Sequence, residues 1–159
     1  MKESQICIAL DFQTKNEVEN FLDQFGNEQL YVKVGMELFY GEGIEIIKMI
    51  KEMGHNIFLD LKLHDIPNTV KSAMKQLAKL DVDMVNVHAS GSIAMMKAAR
   101  EGLEEGSAHR KRPLCIAVTC LTSLDQKVLD DELLIHDPLP DVVLRWAQNA
   151  KIAGLDGVV

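Results

Sequence analysis

Short apolar runs alternate along the chain with longer segments whose apolar residues return every third or fourth position. The runs cover residues 6–10, 30–32, 57–59, 84–87, 115–118 and 157–159. Between them, Val18, Phe21 and Leu22 follow an i, i+3, i+4 pattern, and Ile44, Ile47, Ile50 and Met53 repeat at i+3. Val70, Met74 and Leu77 share one helical face, Ile93, Met96 and Leu103 do so more loosely, and Val142, Val143, Trp146 and Ala150 continue the series. Gly54 and Gly154 are placed as helix stops. The order βαβα predicts an α/β fold with a parallel sheet and crossover helices. The runs are almost unbroken apolar stretches, as expected of strands covered on both faces. Segment 121–139 is long and charged and leaves room for a short extra helix. No linker or low-complexity tract divides the chain, so residues 1–159 read as one domain.

Each apolar run leads into a polar group. Asp11 closes the first, Lys33 falls within the end of the second, and Asp60 with Lys62 closes the third; His88 closes the fourth, and Thr119 the fifth, with Thr122 just beyond. Parallel strands in a curved sheet deliver such ends to one rim. Burying unpaired charge is costly, so five consecutive strand ends of this kind argue for a site.

Composition narrows the classes. The apolar fraction of 47% supports a sizeable core, and mean hydropathy is near zero. No apolar run approaches the roughly 18 residues of a membrane span, and the first five residues carry no secretion-signal pattern. A net charge of −7 argues against a general nucleic-acid or anionic-membrane surface. The one basic run, His109-Arg110-Lys111-Arg112, reads as a solvated loop before a strand. Three cysteines occur without metal-like spacing: Cys7 and Cys115 read as small buried hydrophobes, and Cys120 as a free thiol. That usage points to a reducing, cytoplasmic compartment.

The most informative stretch is Asp60-Leu61-Lys62-Leu63-His64-Asp65-Ile66-Pro67-Asn68-Thr69. On a regular strand, Asp60 and Lys62 point to the same face, about 6–7 Å apart along it. Pro67 suits the first turn of a following helix. On these residues alone the plainer alternative is a surface ion pair beside a helix cap. The other strand ends weigh against it.

This stretch resembles the D-x-K-x-x-D-I-P-x-T signature of the orotidine 5′-monophosphate decarboxylase family in its bacterial form. Ala9-Leu10-Asp11, Lys33-Val34-Gly35, Val85-Asn86-Val87-His88-Ala89, Ala117-Val118-Thr119-Cys120-Leu121-Thr122-Ser123 and Gly154-Leu155-Asp156-Gly157-Val158-Val159 resemble its other strand ends. The resemblance implies a (β/α)₈ TIM barrel, usually a homodimer, of which this chain would cover strands one to six. About 250 residues are typical of such a barrel. The family's phosphate-gripping loop and its arginine belong to strands seven and eight, which fall outside the sequence, so the chain alone is expected to be an incomplete and inactive barrel.

The resemblance further implies conversion of orotidine 5′-phosphate to uridine 5′-phosphate and CO₂ in pyrimidine biosynthesis, without metal or cofactor. Lys62 takes the part of the lysine that stabilises and protonates the ring carbon. Asp60 matches the carboxylate set near the substrate carboxylate. Lys33 and Asp65 extend the alternating array Lys33–Asp60–Lys62–Asp65, and Asp65, Ile66 and Thr69 act across a dimer interface. Asp11, with Lys33, binds ribose hydroxyls, and Thr122 reads the pyrimidine edge. Plainer alternatives stay open for Asp65, as a helix N-cap, and for Asp11, as a loop-capping carboxylate. His88 reads as a hydrogen-bonded histidine at the core edge and is left out of the site. Two other readings compete. Magnesium-dependent sugar-phosphate enzymes of the same suprafamily share D-x-K-x-x-D, but Ile66-Pro67-Asn68-Thr69 favours the decarboxylase. A fragment that folds or dimerises without turnover is the third.

Overall fold

A computed structural model describes residues 6–159; residues 1–5, and with them the expectation of no secretion signal, lie outside the described residues. Six parallel strands follow one another in a single sheet: β1 (Cys7–Ala9), β2 (Tyr31–Gly35), β3 (Asn56–Leu63), β4 (Met84–His88), β5 (Leu114–Val118) and β6 (Gly157–Val158). Each strand pairs with the next in sequence. Seven α-helices connect them: α1 (Lys15–Leu22), α2 (Met36–Glu42), α3 (Ile44–Glu52), α4 (Pro67–Leu77), α5 (Ser92–Ser107), α6 (Gln126–Asp131) and α7 (Leu139–Ala153). The parallel order is what the alternation predicts, and the open arc of the first six strands of a (β/α)₈ barrel is what the resemblance implies.

The two faces of the sheet differ. Val32, Val34, Ile57, Leu59, Val85, Val87, Cys115 and Ala117 point outward under the helices and are fully buried. Their burial, at about 1.5–3 kcal/mol for each larger aliphatic side chain, holds the arc together. The alternate residues face inward: Lys33 lies in register with Ala9 and Phe58, Gly35 with Asp60, and Asn86 with Ile116. Met74, Met95 and Met96 fill the layer between sheet and helices. Helices α4 and α5 approach closely because Gly102 and Gly106 lack side chains; a Cβ at either would collide with the carbonyl oxygens of Lys71 and Lys75. Gly154 ends α7 in the left-handed region, φ 78°, as expected of a helix stop.

Four details depart from the sequence reading. β2 continues beyond the apolar run to Gly35, so Lys33 lies at the middle of the strand rather than within its end. Helix α2 follows directly and was not anticipated. β3 runs on to Leu63, but its register with β4 breaks between Leu59 and Leu63. Cys7 is exposed, not buried, because β1 has a neighbour on one side only. Helix α6 fills the room foreseen in 121–139, and Cys115 is buried as expected.

Candidate active site

The register break in β3 builds the charged centre. Lys62 occupies φ 51°, a conformation that L-residues rarely adopt. The three residues between Leu59 and Leu63 face a single residue of β4, so a bulge replaces the regular strand on which Asp60 and Lys62 were expected to share a face. The Lys62 ammonium folds back to 2.7 Å from Asp60 Oδ1. On the other side, Lys33 Nζ stands 3.6 Å from Asp60 Oδ2 and 3.6 Å from Asp11 Oδ1. Asp60 is buried and thus sits between two ammonium groups.

Burial pushes the Asp60 carboxyl up, yet bonds from Lys62 and the Asn86 amide, with the charges of Lys62 and Lys33, hold it below the ordinary aspartate range. Asp60 is therefore ionised at neutral pH, a fixed negative charge flanked by cations. Asn86 was not among the expected site residues. The signal was present: a lone polar residue inside the apolar run Met84-Val85-Asn86-Val87.

Lys33, Asp60, Lys62, Asn86 and Thr122 line one concave pocket of about 250 Å³ with Phe58, Val118 and Leu121. Its accessible lining is mostly apolar, with Lys33, Asp60 and Lys62 as its charged members. A larger groove along α7, about 730 Å³, is lined by Asp137, Asp141, Arg145 and Trp146 and gathers none of the expected residues. Asp11 joins the cluster through Lys33 only, with its side chain 78% exposed.

The remaining expected residues stand apart. Asp65, Ile66 and Thr69 are exposed at the start of α4. The N-cap of α4 is Ile66, so Asp65 does not cap it; the Asp65 carboxylate accepts the Ile66 N–H at 2.6 Å. Among the described residues Asp65 pairs with no cation, so the four-charge array is three charges within one chain. His88 packs against His64 with the rings tilted at 43° and their centroids 5.5 Å apart. Burial, with the charges of His64 and Lys62, holds its imidazole below the usual histidine value. Thr119 ties β5 to the chain end, its hydroxyl donating to the Val159 carbonyl at 2.7 Å.

Comparison with known proteins follows the same lines. Residues 4–159 match the family model described as orotidine 5′-phosphate decarboxylase / HUMPS family. Orotidine 5′-phosphate decarboxylases of Bacillus cytotoxicus and Bacillus mycoides are each 61% identical over 155 residues, 97% of this chain. The chain spans 65% of the length of these relatives. Among solved structures, an uncharacterized conserved protein from Geobacillus kaustophilus superposes with a TM-score of 0.94 at 57% identity, covering 96% of this chain and 71% of that one. The orotidine 5′-phosphate decarboxylase of Lactobacillus acidophilus gives 0.93 at 43% identity, covering 98% and 70%.

Proposed function

The chain belongs to the orotidine 5′-phosphate decarboxylase / HUMPS family, and on that basis we propose that its rim carries out the decarboxylation of orotidine 5′-phosphate to uridine 5′-phosphate, a carbon–carbon lyase reaction of pyrimidine biosynthesis. The observation that carries this reading is the buried Asp60 carboxylate held between Lys62 at 2.7 Å and Lys33 at 3.6 Å. Loss of CO₂ leaves an electron pair in the plane of the ring, where delocalisation is poor. A cation fixed beside that carbon stabilises it, and Lys62 is the cation available. Its ammonium then delivers the proton to the carbon. Asp60 stands beside the place the substrate carboxylate would take; their repulsion disappears as CO₂ departs. Lys33 and Asp11 meet the ribose hydroxyls, and Thr122 meets the pyrimidine edge. No metal or cofactor has a part in these steps.

The second half of the proposal is a homodimer with shared sites. Asp65, Ile66 and Thr69 are exposed and do not line the pocket of their own chain, and Ile66 is 67% exposed. A second copy that brings Asp65 beside Lys62 would complete the alternating array. The three free thiols fit a cytoplasmic protein. No helix among the described residues is long and apolar enough to cross a membrane. The negative charge of the whole chain argues against a nucleic-acid partner.

The test is formation of uridine 5′-phosphate from orotidine 5′-phosphate by the polypeptide at the full length of its relatives, with and without EDTA. Turnover that EDTA leaves intact is expected. Turnover of a sugar phosphate that EDTA abolishes would instead favour the metal-dependent branch of the suprafamily.

A further inference from the structure

We propose that Asn86 is a positioning residue for this reaction: one buried amide that fixes the Asp60 carboxylate with its NH₂ and the bulged backbone of Lys62 with its carbonyl. This rests on the decarboxylase reading of the rim. Asn86 is 2% exposed, and both ends of its amide are used. Its Oδ1 accepts the Lys62 N–H at 2.8 Å, and its Nδ2 donates to Asp60 Oδ1 at 2.6 Å. The orientation is forced. Lys62 N–H is a donor and the carboxylate only accepts, so a flipped amide would set donor against donor and oxygen against oxygen.

The need for such a residue follows from the bulge. β3 and β4 pair at Leu59–Val85 and again at Leu63–Val87, so three residues of β3 lie opposite the single Asn86. The Lys62 N–H has lost a regular ladder partner there, and a buried unpaired N–H is costly. The Asn86 side chain supplies the partner and stabilises Lys62 at φ 51°. The same amide then occupies a lone pair of Asp60 Oδ1, beside the Lys62 ammonium on that oxygen. Carboxylate direction and lysine backbone are thus set by one rigid group on the neighbouring strand. Lys33 reaches the same carboxylate at its other oxygen, and neither it nor Asp11, His64 or His88 bonds to the Asn86 amide.

Two near-isosteric substitutions separate the two bonds. Asn86→Asp keeps an acceptor for the Lys62 N–H but turns the Asp60 donor into a second carboxylate. Asn86→Leu removes both. The readouts are the Asp60 carboxyl titration by ¹³C NMR and the Lys62 amide resonance, both taken on the protein without substrate. With Asn86→Asp, the Asp60 titration should rise by about one unit or more while the Lys62 amide stays near its original shift. With Asn86→Leu, the titration should rise and the amide resonance should move. Decarboxylation by the full-length polypeptide should lose about tenfold or more in kcat with little change in KM, since a misplaced charge acts on the transition state. If Asn86→Leu does not fold, Asn86→Asp decides alone. Lower thermal stability with an unchanged Asp60 titration would overturn the inference, because a purely structural amide would behave that way. Shifted titrations in a protein that never turns over orotidine 5′-phosphate would uphold the placement and sink the decarboxylase reading instead.

Discussion

Lys62 reaches back across its own bulge to hold Asp60, Nζ to Oδ1 at 2.7 Å, although the two residues are only two apart in sequence. A regular strand would set them on one face about 6–7 Å apart along it. Here Lys62 adopts the left-handed region, its ammonium meets Asp60 Oδ1, and Lys33 stands on the Oδ2 side. Lys62→Ala in the full-length polypeptide should therefore abolish turnover, by on the order of 10²-fold or more, while the fold survives. In that variant Lys33 still supplies a charge beside Asp60 and Asn86 still donates a hydrogen bond to it, and alanine occupies φ 51° no worse than lysine. Unchanged uridine 5′-phosphate formation by a folded Lys62→Ala protein would refute the role of the lysine.

Asp65 is predicted to act in the partner's site. Its carboxylate is exposed and accepts the Ile66 N–H, and among the described residues it pairs with no cation of its own chain. Full-length Asp65→Asn and Lys62→Ala proteins, each inactive alone, should regain activity when mixed, because a heterodimer contains one site free of both changes. Subunit exchange shown by mass spectrometry without any recovery of activity would refute the shared site.

Much of this could be read in the chain itself. The strands were legible because sheets covered on both faces write unbroken apolar runs, as in Ile57-Phe58-Leu59. The charged rim was legible because Asp60 and Lys62 follow such a run directly. Helix α2 was not, since only Leu38 among its residues is buried and no periodicity results. The bulge was not, because nothing in Leu61-Lys62-Leu63 marks a positive φ. Asn86 was passed over as one polar residue in an apolar run; its importance comes from β4 lying against the bulge, a relation across 24 residues to Lys62. Cys7 was misjudged because an apolar run does not tell an edge strand from a central one.

At the opposite end of the sheet from the rim, Arg112 should make stability depend on pH. Its guanidinium holds both oxygens of Asp156 at 2.8 Å, and the same carboxylate accepts the Cys115 N–H at 2.7 Å, which ties β5 to the turn before β6. The Arg112 bonds, more than anything else, hold the Asp156 carboxyl below the ordinary aspartate range. A carboxyl lowered on folding stabilises the fold above its unfolded pKa, and that contribution is lost as pH falls through the folded value. Arg112→Ala should cost about 1–2 kcal/mol near neutral pH and progressively less in acid below the ordinary aspartate value. Urea unfolding at several pH values measures this; an equal cost at all of them would show that Asp156 is not the partner that matters.

A polypeptide of residues 1–159 and nothing more is predicted to be inactive and prone to associate. Six strands do not close an eight-stranded barrel, and β1 and β6 each have a neighbour on one side only. Such edges present unpaired backbone groups that invite another chain. Ile6 beside β1 and Val159 beside β6 are 82% and 65% exposed, which adds apolar surface at both edges. The rim from Asp11 to Thr122 is in place, but its relatives extend through a further third of their length. Binding energy from a remote part of a substrate lowers the barrier at the reacting carbon as well as holding the substrate, so a site that grips only the ring and ribose should lose kcat along with affinity. Light scattering should therefore find this polypeptide in assemblies larger than the full-length protein forms, and an assay should find no decarboxylation above background. A monodisperse 159-residue protein with the turnover of the full-length form would show that the six-stranded arc is sufficient.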